Sequence, residues 1–304
     1  MTVFPRAIGS EMLRRRGKYD AVVEVWNGVP WFTPVWVRAP KVVFLHHVHG
    51  PMWNQILPSP AAGLGRALEA RIAPPFYRRT LVLTPSDATR EELLELGFRP
   101  DRVSAIPNGV DTRFSPGGSK SATPLVVSVG RLAPVKRFEA MIDAIAAART
   151  RVPDIQLRIV GSGPMESQLR EQIASLGLQD RVQLLGHVAH DELIDLYRSA
   201  WLVSSASLAE GWGLTLTEAA ACGTPAVASD IRGHRSSVVD GVTGVLAPVE
   251  QLGDALADIL TDHDRRQVLA DAAHQRALTL TWDRVARDML AALAAEASRT
   301  RRRR

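Results

Sequence analysis

The stretch LVVSVGRLAPVKRFEAMIDAIAAA, residues 125–148, decides the fold of this chain. It opens with a short run rich in valine, which is typical of a buried strand, and closes with a longer run suited to a helix. Gly130 and Arg131 end the first run. The stretch therefore predicts a strand over residues 125–130, a loop, and a helix over residues 134–148.

The same alternation continues along the chain. Strands rich in valine, isoleucine and leucine that alternate strictly with helices are typical of a parallel sheet covered by helices on both faces. We therefore predict one complete doubly wound α/β domain. Its further strands are predicted at residues 155–161, 182–186, 201–205, 225–229 and 244–248, its further helices at residues 165–177, 191–200 and 213–223, and three more helices follow residue 249.

A second domain is predicted upstream of residue 107. The segment before residue 21 looks helical, and it lacks the strand and glycine-rich loop that normally open a doubly wound sheet. We therefore expect this domain to be incomplete at its start. The loop at residues 107–124, rich in proline, glycine and serine, is the expected boundary. Strands are predicted at residues 21–25, 42–45, 81–84 and 103–106, and helices at residues 64–71 and 87–96.

The composition excludes several classes of protein. The chain has 304 residues, enough for about two domains of ~150 residues each. Apolar residues make up 46% of it and charged residues 23%, which excludes a fibrous or wholly disordered chain. The formal net charge of +5 equals the charge of the arginines at positions 299 and 301–304, so we expect a solvated basic tail and no nucleic-acid partner.

The expected location is the cytoplasm. Cys222 is the only cysteine, which excludes a disulfide framework and a cysteine-ligated metal site. No run of about 18 apolar residues is present to cross a membrane. The first residues also lack the basic, apolar and small-residue order of a signal peptide.

Three loops at predicted strand ends carry candidate functional residues, because ligands of parallel sheets bind at the carboxyl ends of the strands. In GRLAPVKRF, Pro134 suits the first helical position and puts Lys136 and Arg137 in the first turn. Cations there oppose the helix dipole unless an anion is bound. Arg131, Lys136 and the free backbone amides therefore predict a phosphate site, with a solvated basic turn as the alternative.

The second loop, VGSGP at residues 160–164, predicts a tight turn whose glycines let a ligand approach the backbone. It is not the dinucleotide-binding pattern GxGxxG, because Glu166 occupies the sixth position. A nicotinamide-dependent dehydrogenase is therefore disfavoured.

The third loop, EGWGLTLTEAAACG at residues 210–223, places Glu210 before a predicted helix and Glu218 one or two turns into it. A carboxylate accepts two hydrogen bonds from a vicinal diol, so Glu218 suits a ribose and Glu210 suits sugar hydroxyls. The alternative is that both acids only complement the helix dipole.

The motifs GRLAPVK, GSGP, EGWGLTLTE and PNGVD together resemble the family-4 retaining glycosyltransferases of GT-B fold. The resemblance runs from about residue 19 to residue 289. It implies two Rossmann-like doubly wound α/β domains that face each other across a cleft, the N-terminal one here lacking its start. It also implies sugar transfer from a nucleoside diphosphate sugar to an acceptor hydroxyl, with retention and without a metal or other cofactor.

The resemblance also implies residue roles. Arg131 and Lys136 would hold the donor diphosphate, Glu210 the donor sugar and Glu218 the ribose. The other residues expected to line the donor site are Gly130, Gly161, Gly163, Pro164, Leu185, Gly211, Trp212, Gly213, Leu214 and Thr215.

The motif FLHHVHG, residues 44–50, carries three histidines. The family places a histidine near the reacting sugar, and His47 or His49 is the closest match, so both are catalytic candidates. A zinc site is the alternative, and it is disfavoured because no acidic or cysteine partner is near in sequence.

The remaining expectations concern domain bounds and partners. We expect a partial N-terminal domain at residues 1–115, a donor-binding domain at 122–280, a closing helix at 281–297 that packs back on the N-terminal domain, and a basic tail at 298–304. The acceptor would be a lipid or a polysaccharide. Basic stretches at residues 14–18 and 66–79 would give peripheral contact with the inner face of a membrane, with ordinary solvated charge as the alternative.

Two other functions compete with transfer. One is a donor-binding remnant with little or no transferase activity, which follows from the missing start. The other is an epimerase or phosphorylase of the same architecture, although the cofactor lysine motif of a phosphorylase is absent. An assay of the products separates these functions.

Overall fold

The computed structural model describes residues 20–302, apart from the side chains of residues 55 and 56. The segment before residue 20, with the basic stretch at residues 14–18, lies outside these residues. The chain forms two compact units, Met1–Pro107 together with Asp283–Arg304, and Asn108–Trp282. Among the described residues, no helix combines the length and the apolar character needed to cross a membrane.

The first unit contains a parallel sheet of four strands in the order β1-β2-β3-β4. All four predicted strands are present within one residue of their expected ends. The elements are β1 (Val22–Trp26), α1 (Thr33–Trp36), β2 (Lys41–Leu45), α2 (Trp53–Ile56), α3 (Ala61–Ala67), α4 (Ala73–Tyr77), β3 (Leu81–Thr84), α5 (Asp87–Glu95) and β4 (Val103–Ala105).

The helical region between β2 and β3 is longer than predicted. The expected helix at residues 64–71 is part of a nearly continuous run in which a π-helix, Leu68–Ile72, joins α3 to α4. Pro74 and Pro75 lie within this run and do not interrupt it. They occupy the first turn of α4, where a missing backbone N–H costs nothing.

Strand β1 lies at the edge of this sheet and buries only one face. Trp26 is 1% exposed and packs on Tyr77, with ring centroids 5.0 Å apart. Glu24 is also buried, and it accepts a hydrogen bond of 2.7 Å from the Tyr77 hydroxyl. Val23 and Val25, on the other face, are 43% and 52% exposed.

The second unit contains a parallel sheet of six strands in the order β10-β9-β8-β5-β6-β7, with an apolar core on each face. This confirms the predicted doubly wound domain. Its strands are β5 (Leu125–Val129), β6 (Gln156–Val160), β7 (Val182–Gly186), β8 (Leu202–Ser205), β9 (Ala226–Ser229) and β10 (Gly244–Ala247). Its helices are α6 (Phe138–Ala148), α7 (Glu166–Ser175), α8 (His190–Ser199), α9 (Leu214–Ala221), α10 (Arg232–Ser237), α11 (Leu252–Thr261) and α12 (His263–Ala277).

The helix predicted at residues 134–148 begins four residues later than expected. Pro134–Lys136 form a 3-10 turn, Arg137 adopts a left-handed conformation with φ of 50°, and the α-helix begins only at Phe138. Lys136 therefore lies outside the first turn of α6, and Arg137 is the N-cap of α6. Backbone bonds from Lys136 N to Ala133 O (2.9 Å) and from Arg137 N to Pro134 O (3.2 Å) close the turn before the helix.

The boundary between the units also differs from the expected one. Residues 108–115 belong to the second unit, because Val110 and Phe114 are buried in its core. Val110 N donates a 2.9 Å hydrogen bond to Leu280 O, at the end of the same unit. Cys222 lies in this core, and burial raises the pKa of its thiol to about 11.

The last helix, α13 (Trp282–Arg301), contributes from residue 283 onward to the first unit. Val285, Met289, Ala292 and Leu293 pack against the apolar side chains of β2 and β3. The helix runs four residues past the expected end at 297. Arg299 is not part of a solvated tail, because it pairs with Glu296 at 2.7 Å and donates to Arg79 O at 2.9 Å.

Candidate functional site

Neighbouring strands bring four loops of the second unit to one edge of its sheet. β8, β5, β6 and β7 are adjacent and parallel, so the loops that follow them lie side by side. These loops carry the candidate residues that the sequence placed in this unit, apart from Leu185 at the end of β7 and Leu214, Thr215 and Glu218 on α9. The predicted clustering of the motifs is therefore present.

The loops after β5 and β6 pack through their backbones. Leu132 N donates to Ser162 O at 3.0 Å, and Met165 N donates to Leu132 O at 3.1 Å. A Cβ atom on Gly161 would lie 1.9 Å from Gly130 O, and one on Gly163 would lie 2.4 Å from Leu132 O. The close approach of the two loops explains why both positions require glycine. The sequence analysis had attributed these glycines to the approach of a ligand.

Lys136 and Glu210 form an ion pair in which Nζ lies 2.5 Å from Oε1. The Ser207 hydroxyl donates to the same oxygen at 2.7 Å. Oε2 of Glu210 has no hydrogen bond to any residue in the described part of the chain. One carboxylate oxygen is thus fixed, and the other is open for a ligand.

Arg131 stands five residues before Lys136 in the same loop. Its side chain is exposed and has no hydrogen bond or ion pair with another described residue. Arg137, in contrast, lies 3.7 Å from Glu139. Of the three cations in this loop, Arg131 is therefore the one with an uncommitted charge.

The start of α9 offers backbone donors to this edge. Its N-cap, Gly213, makes no side-chain hydrogen bond to the helix, so the first amides of α9 have no side-chain cap. Trp212 is 5% exposed and belongs to the core, whereas Leu214 is exposed. The backbone amides at the start of α9 are thus available to a ligand at this edge.

Glu218 lies in a more apolar environment than Glu210. The fully buried Tyr197 donates a hydrogen bond from its hydroxyl to Oε2 of Glu218 at 3.2 Å. Burial raises the pKa of Glu218, against the opposing effects of Tyr197 and His190. Burial and the Glu218 charge also raise the pKa of Tyr197. Tyr197 has no sequence signal, because its partner is 21 residues away on another helix.

Helix α10 supports the Glu210 loop and was not predicted. A Cβ atom on Gly233 would lie 2.1 Å from Glu210 O, so the helix packs directly on this backbone. His234 is fully buried, with Nδ1 2.8 Å from Ser229 O and with no hydrogen-bond partner for Nε2 among the described residues. Burial lowers the pKa of His234. The sequence of α10, RGHRSS, has no apolar periodicity that would have revealed it.

The histidines of the first unit follow the carboxyl end of β2. The rings of His47 and His49 lie 4.3 Å apart, and His49 is 7% exposed and stacks on Trp53. Glu69 accepts hydrogen bonds of 2.8 Å from His49 N and Gly50 N, and its Oε1 lies 3.6 Å from His49 Nδ1.

Glu69 is thus the acidic partner of His49 that the sequence analysis did not find, 20 residues further along the chain. Burial opposes the ionisation of Glu69, but the hydrogen bonds from His49 and Gly50 outweigh it and lower the pKa of this carboxyl. Within residues 20–302, no group of three or more histidine, cysteine, aspartate or glutamate side chains is arranged to hold a metal ion.

Two family models match the sequence. The model described as "Glycosyl transferases group 1" matches residues 110–276, and the model described as "Glycosyltransferase Family 4" matches residues 3–114. The first match alone covers more than half of the chain. It contains all three donor-site loops.

Curated relatives are identical to this chain at about a third of the aligned residues. A D-inositol 3-phosphate glycosyltransferase of Kribbella flavida is 34% identical over 234 residues, which are 69% of this chain and 55% of that protein. One of Salinispora tropica is 37% identical over 220 residues, which are 63% and 45% of the two chains. The chain thus spans about half the length of these relatives.

Solved structures share the fold at low sequence identity. Anabaena HepE in complex with UDP and glucose has a TM-score of 0.77 at 22% identity, over 96% of this chain and 81% of that one. Sucrose-phosphate synthase of Thermosynechococcus elongatus has a TM-score of 0.78 at 21% identity, over 94% and 76% of the two chains. These similarities confirm the expected GT-B fold, and the family matches lead to one conclusion. This chain belongs to the group 1 glycosyl transferases.

Proposed function

We propose that this chain transfers a sugar from a nucleoside diphosphate sugar to an acceptor hydroxyl, with retention at the anomeric carbon. The observation that carries the proposal is the Lys136–Glu210 pair at the edge of the second sheet, which leaves one carboxylate oxygen open. The HepE structures are described as complexes with UDP and glucose and with UDP-glucose, which supports a donor of this class.

The diphosphate is assigned to Arg131, Lys136 and the start of α9. An ammonium group has three N–H donors, and Glu210 takes one of them, so two stay free for phosphate oxygens. The uncommitted guanidinium of Arg131 adds a second cation. The amides of Gly211, Gly213, Leu214 and Thr215 supply neutral donors near a helix N-terminus.

The two glutamates are assigned to the two sugars of the donor. Oε2 of Glu210 is open and accepts hydrogen bonds from the hydroxyls of the transferred sugar. Glu218 binds the ribose through the oxygen that Tyr197 leaves free. The base lies near Gly161 and Pro164, in the loop after β6, and near Leu185, at the end of β7.

In the reaction, the bond between the anomeric carbon and the β-phosphate oxygen breaks, and its electron pair stays on the diphosphate. A new bond forms between the acceptor oxygen and the anomeric carbon on the same face. The acceptor proton passes to the departing phosphate oxygen. Arg131, Lys136 and the first amides of α9 stabilise the charge that develops there, which is the main electrostatic demand of the step.

The predicted histidines receive different roles. His49 is buried between Trp53 and Glu69, so we assign it to positioning the loop that follows β2. His47 is half-buried and remains the catalytic candidate of the pair.

A second candidate function is donor binding with little transfer. It is favoured by the contrast between the two sheets, because the described residues supply six strands to the second unit and four to the first. The edge strand β1 also exposes Val23 and Val25. For the transfer reaction, we propose a lipid or a polysaccharide at the inner face of a membrane as the acceptor.

One experiment separates these functions. Calorimetry with UDP, GDP and their glucose and mannose conjugates measures binding, and assays with lipid and polysaccharide acceptors measure transfer and the anomeric configuration of the product. Binding with transfer and retention supports the first proposal. Binding without transfer supports the second, and release of a free epimerised nucleotide sugar contradicts both.

A further inference from the structure

A cavity of about 460 Å³ lies in the first unit, far from the carboxyl ends of its strands. Lys41 and Thr80 line it, and these residues stand at or just before the amino ends of β2 and β3. His46 and His47 follow the other end of β2. Five residues of strand separate the two regions by about 15 Å.

Four cationic side chains and one carboxylate line this cavity: Lys41, Arg78, Arg79, Arg299 and Glu296. The carboxylate is already neutralised, because Glu296 is 4% exposed and pairs with both Arg102 and Arg299. Arg78 and Arg79 are exposed, and their guanidinium groups have no hydrogen bond or ion pair with another residue in the range 20–302. The cavity therefore has a large excess of uncommitted positive charge.

Lys41 is half-buried in this lining. Burial lowers its pKa, Glu296 opposes that change, and Arg299 lowers the pKa further. A bound anion would offset both the loss of solvation and the repulsion. Among the described residues, Glu296 is the only carboxylate that lines the cavity, and it is already paired.

Part of the cavity lining is apolar. It consists of Pro34, Pro75 and Phe76, and Phe76 is 50% exposed. The Phe76 ring is held in place by an edge contact with Phe32, with centroids 5.4 Å apart. A cavity lined by both cationic and apolar side chains suits a ligand with an anionic head and an organic body.

We propose that this cavity binds an organic phosphate, with the phosphoryl group on Arg78, Arg79 and Lys41 and the organic part on Phe76 and the prolines. Guanidinium groups match phosphate oxygens in geometry and charge, so two uncommitted arginines in the lining favour phosphate over a carboxylate. The site does not depend on sugar transfer. A soluble phosphate ester and the headgroup of an anionic phospholipid share the required chemistry.

The test compares both sources on the full chain. Glycerol 3-phosphate is titrated by calorimetry, and sedimentation is measured with vesicles of phosphatidylcholine alone or mixed in equal parts with phosphatidylglycerol. The Arg78→Gln/Arg79→Gln variant should lose at least about tenfold in affinity, because two charged hydrogen-bonding groups are removed. Lys136→Gln should leave this binding unchanged, which separates the cavity from the donor site.

The control variant Arg71→Gln/Arg265→Gln removes the same charge from exposed positions outside the cavity. If the cavity variant, but not the control variant, loses binding to glycerol 3-phosphate, a soluble ligand is supported. If the cavity variant, but not the control variant, loses binding to anionic vesicles, a lipid ligand is supported. Absence of binding to both probes, or equal loss in the control variant, overturns the proposal, and thermal unfolding shows that each variant is folded.

Discussion

The Nζ atom of Lys136 lies 2.5 Å from Oε1 of Glu210, although the two residues are 74 positions apart. The pair joins the loop after β5 to the loop after β8. The side chains are only 25% and 18% exposed, so water screens the attraction less than at an open surface. Each partner fixes the other, and both are presented together to the proposed donor.

Lys136→Gln should weaken the binding of UDP or GDP by about 10- to 100-fold, since a hydrogen bond to a charged group contributes ~1.5–3 kcal/mol. Arg137→Gln is the matched control, because it removes a neighbouring cation that pairs with Glu139. It should change the affinity little. Calorimetry that finds equal losses in the two variants would contradict the assignment of Lys136.

Glu210→Gln should reduce turnover more than nucleotide affinity, because its proposed ligand is the transferred sugar. Glu218→Ala should weaken free UDP or GDP as well as the nucleotide sugar, because its proposed ligand is the ribose. The measurements are kcat and the Kd of the free nucleotide for each variant. An equal loss of nucleotide affinity in both would show that the division of roles is wrong.

Burial raises the pKa of Glu218, so the folded state holds this proton more tightly than the unfolded state. The carboxylate therefore lowers stability at pH values above the folded pKa, and this effect disappears as the pH falls below the unfolded pKa. Glu218→Gln should raise the unfolding temperature at neutral pH and change it less in acid. Thermal unfolding across pH tests this, and a lower unfolding temperature at neutral pH would exclude it.

Glu69→Ala should destabilise the chain by roughly 2–4 kcal/mol, because the buried amide of His49 and the partly buried amide of Gly50 lose their acceptor. The pKa of Glu69 is lowered by those bonds, so its stabilisation is present above the unfolded pKa and is lost as the pH falls through the folded pKa. Glu91→Ala, at an exposed position on α5, is the control. Denaturant unfolding at neutral and acidic pH measures the free energy of unfolding of both variants.

Gly161→Ala should disrupt the loops after β5 and β6, because the new Cβ would meet Gly130 O at 1.9 Å. Gly177→Ala is the control. Gly177 also has a positive φ, 62° compared with 134° at Gly161, but no atom lies within 4 Å of the Cβ that the substitution adds. Only the first variant should lose nucleotide binding. Retained binding in Gly161→Ala would show that these loops do not form the site.

The sequence predicted elements well where local pattern decides them. The strands β3 and β7 and the start of α5 were correct to the residue, because valine- and leucine-rich runs and the Ser86 cap are local signals. The left-handed Arg137 was missed because a proline at position 134 favours a helix start in isolation.

The candidate site was predictable only in part. Arg131, Lys136, Glu210 and Glu218 stand in motifs that the sequence displays. The residues that support the candidate side chains do not stand in such motifs. Tyr197 contacts Glu218, Gly233 contacts Glu210 and Glu69 contacts His49 through tertiary packing between distant segments. Local sequence carries no record of such contacts.

The first unit is discontinuous, with α13 returning to it after the whole second unit has passed. On the ribosome, residues 108–282 are therefore complete before the helix that covers β2 and β3 has emerged. Until then, Val42, Phe44 and Leu83 lack the apolar partners on α13. Synthesis thus imposes an order of maturation, in which the first unit to be translated is the last to close its core.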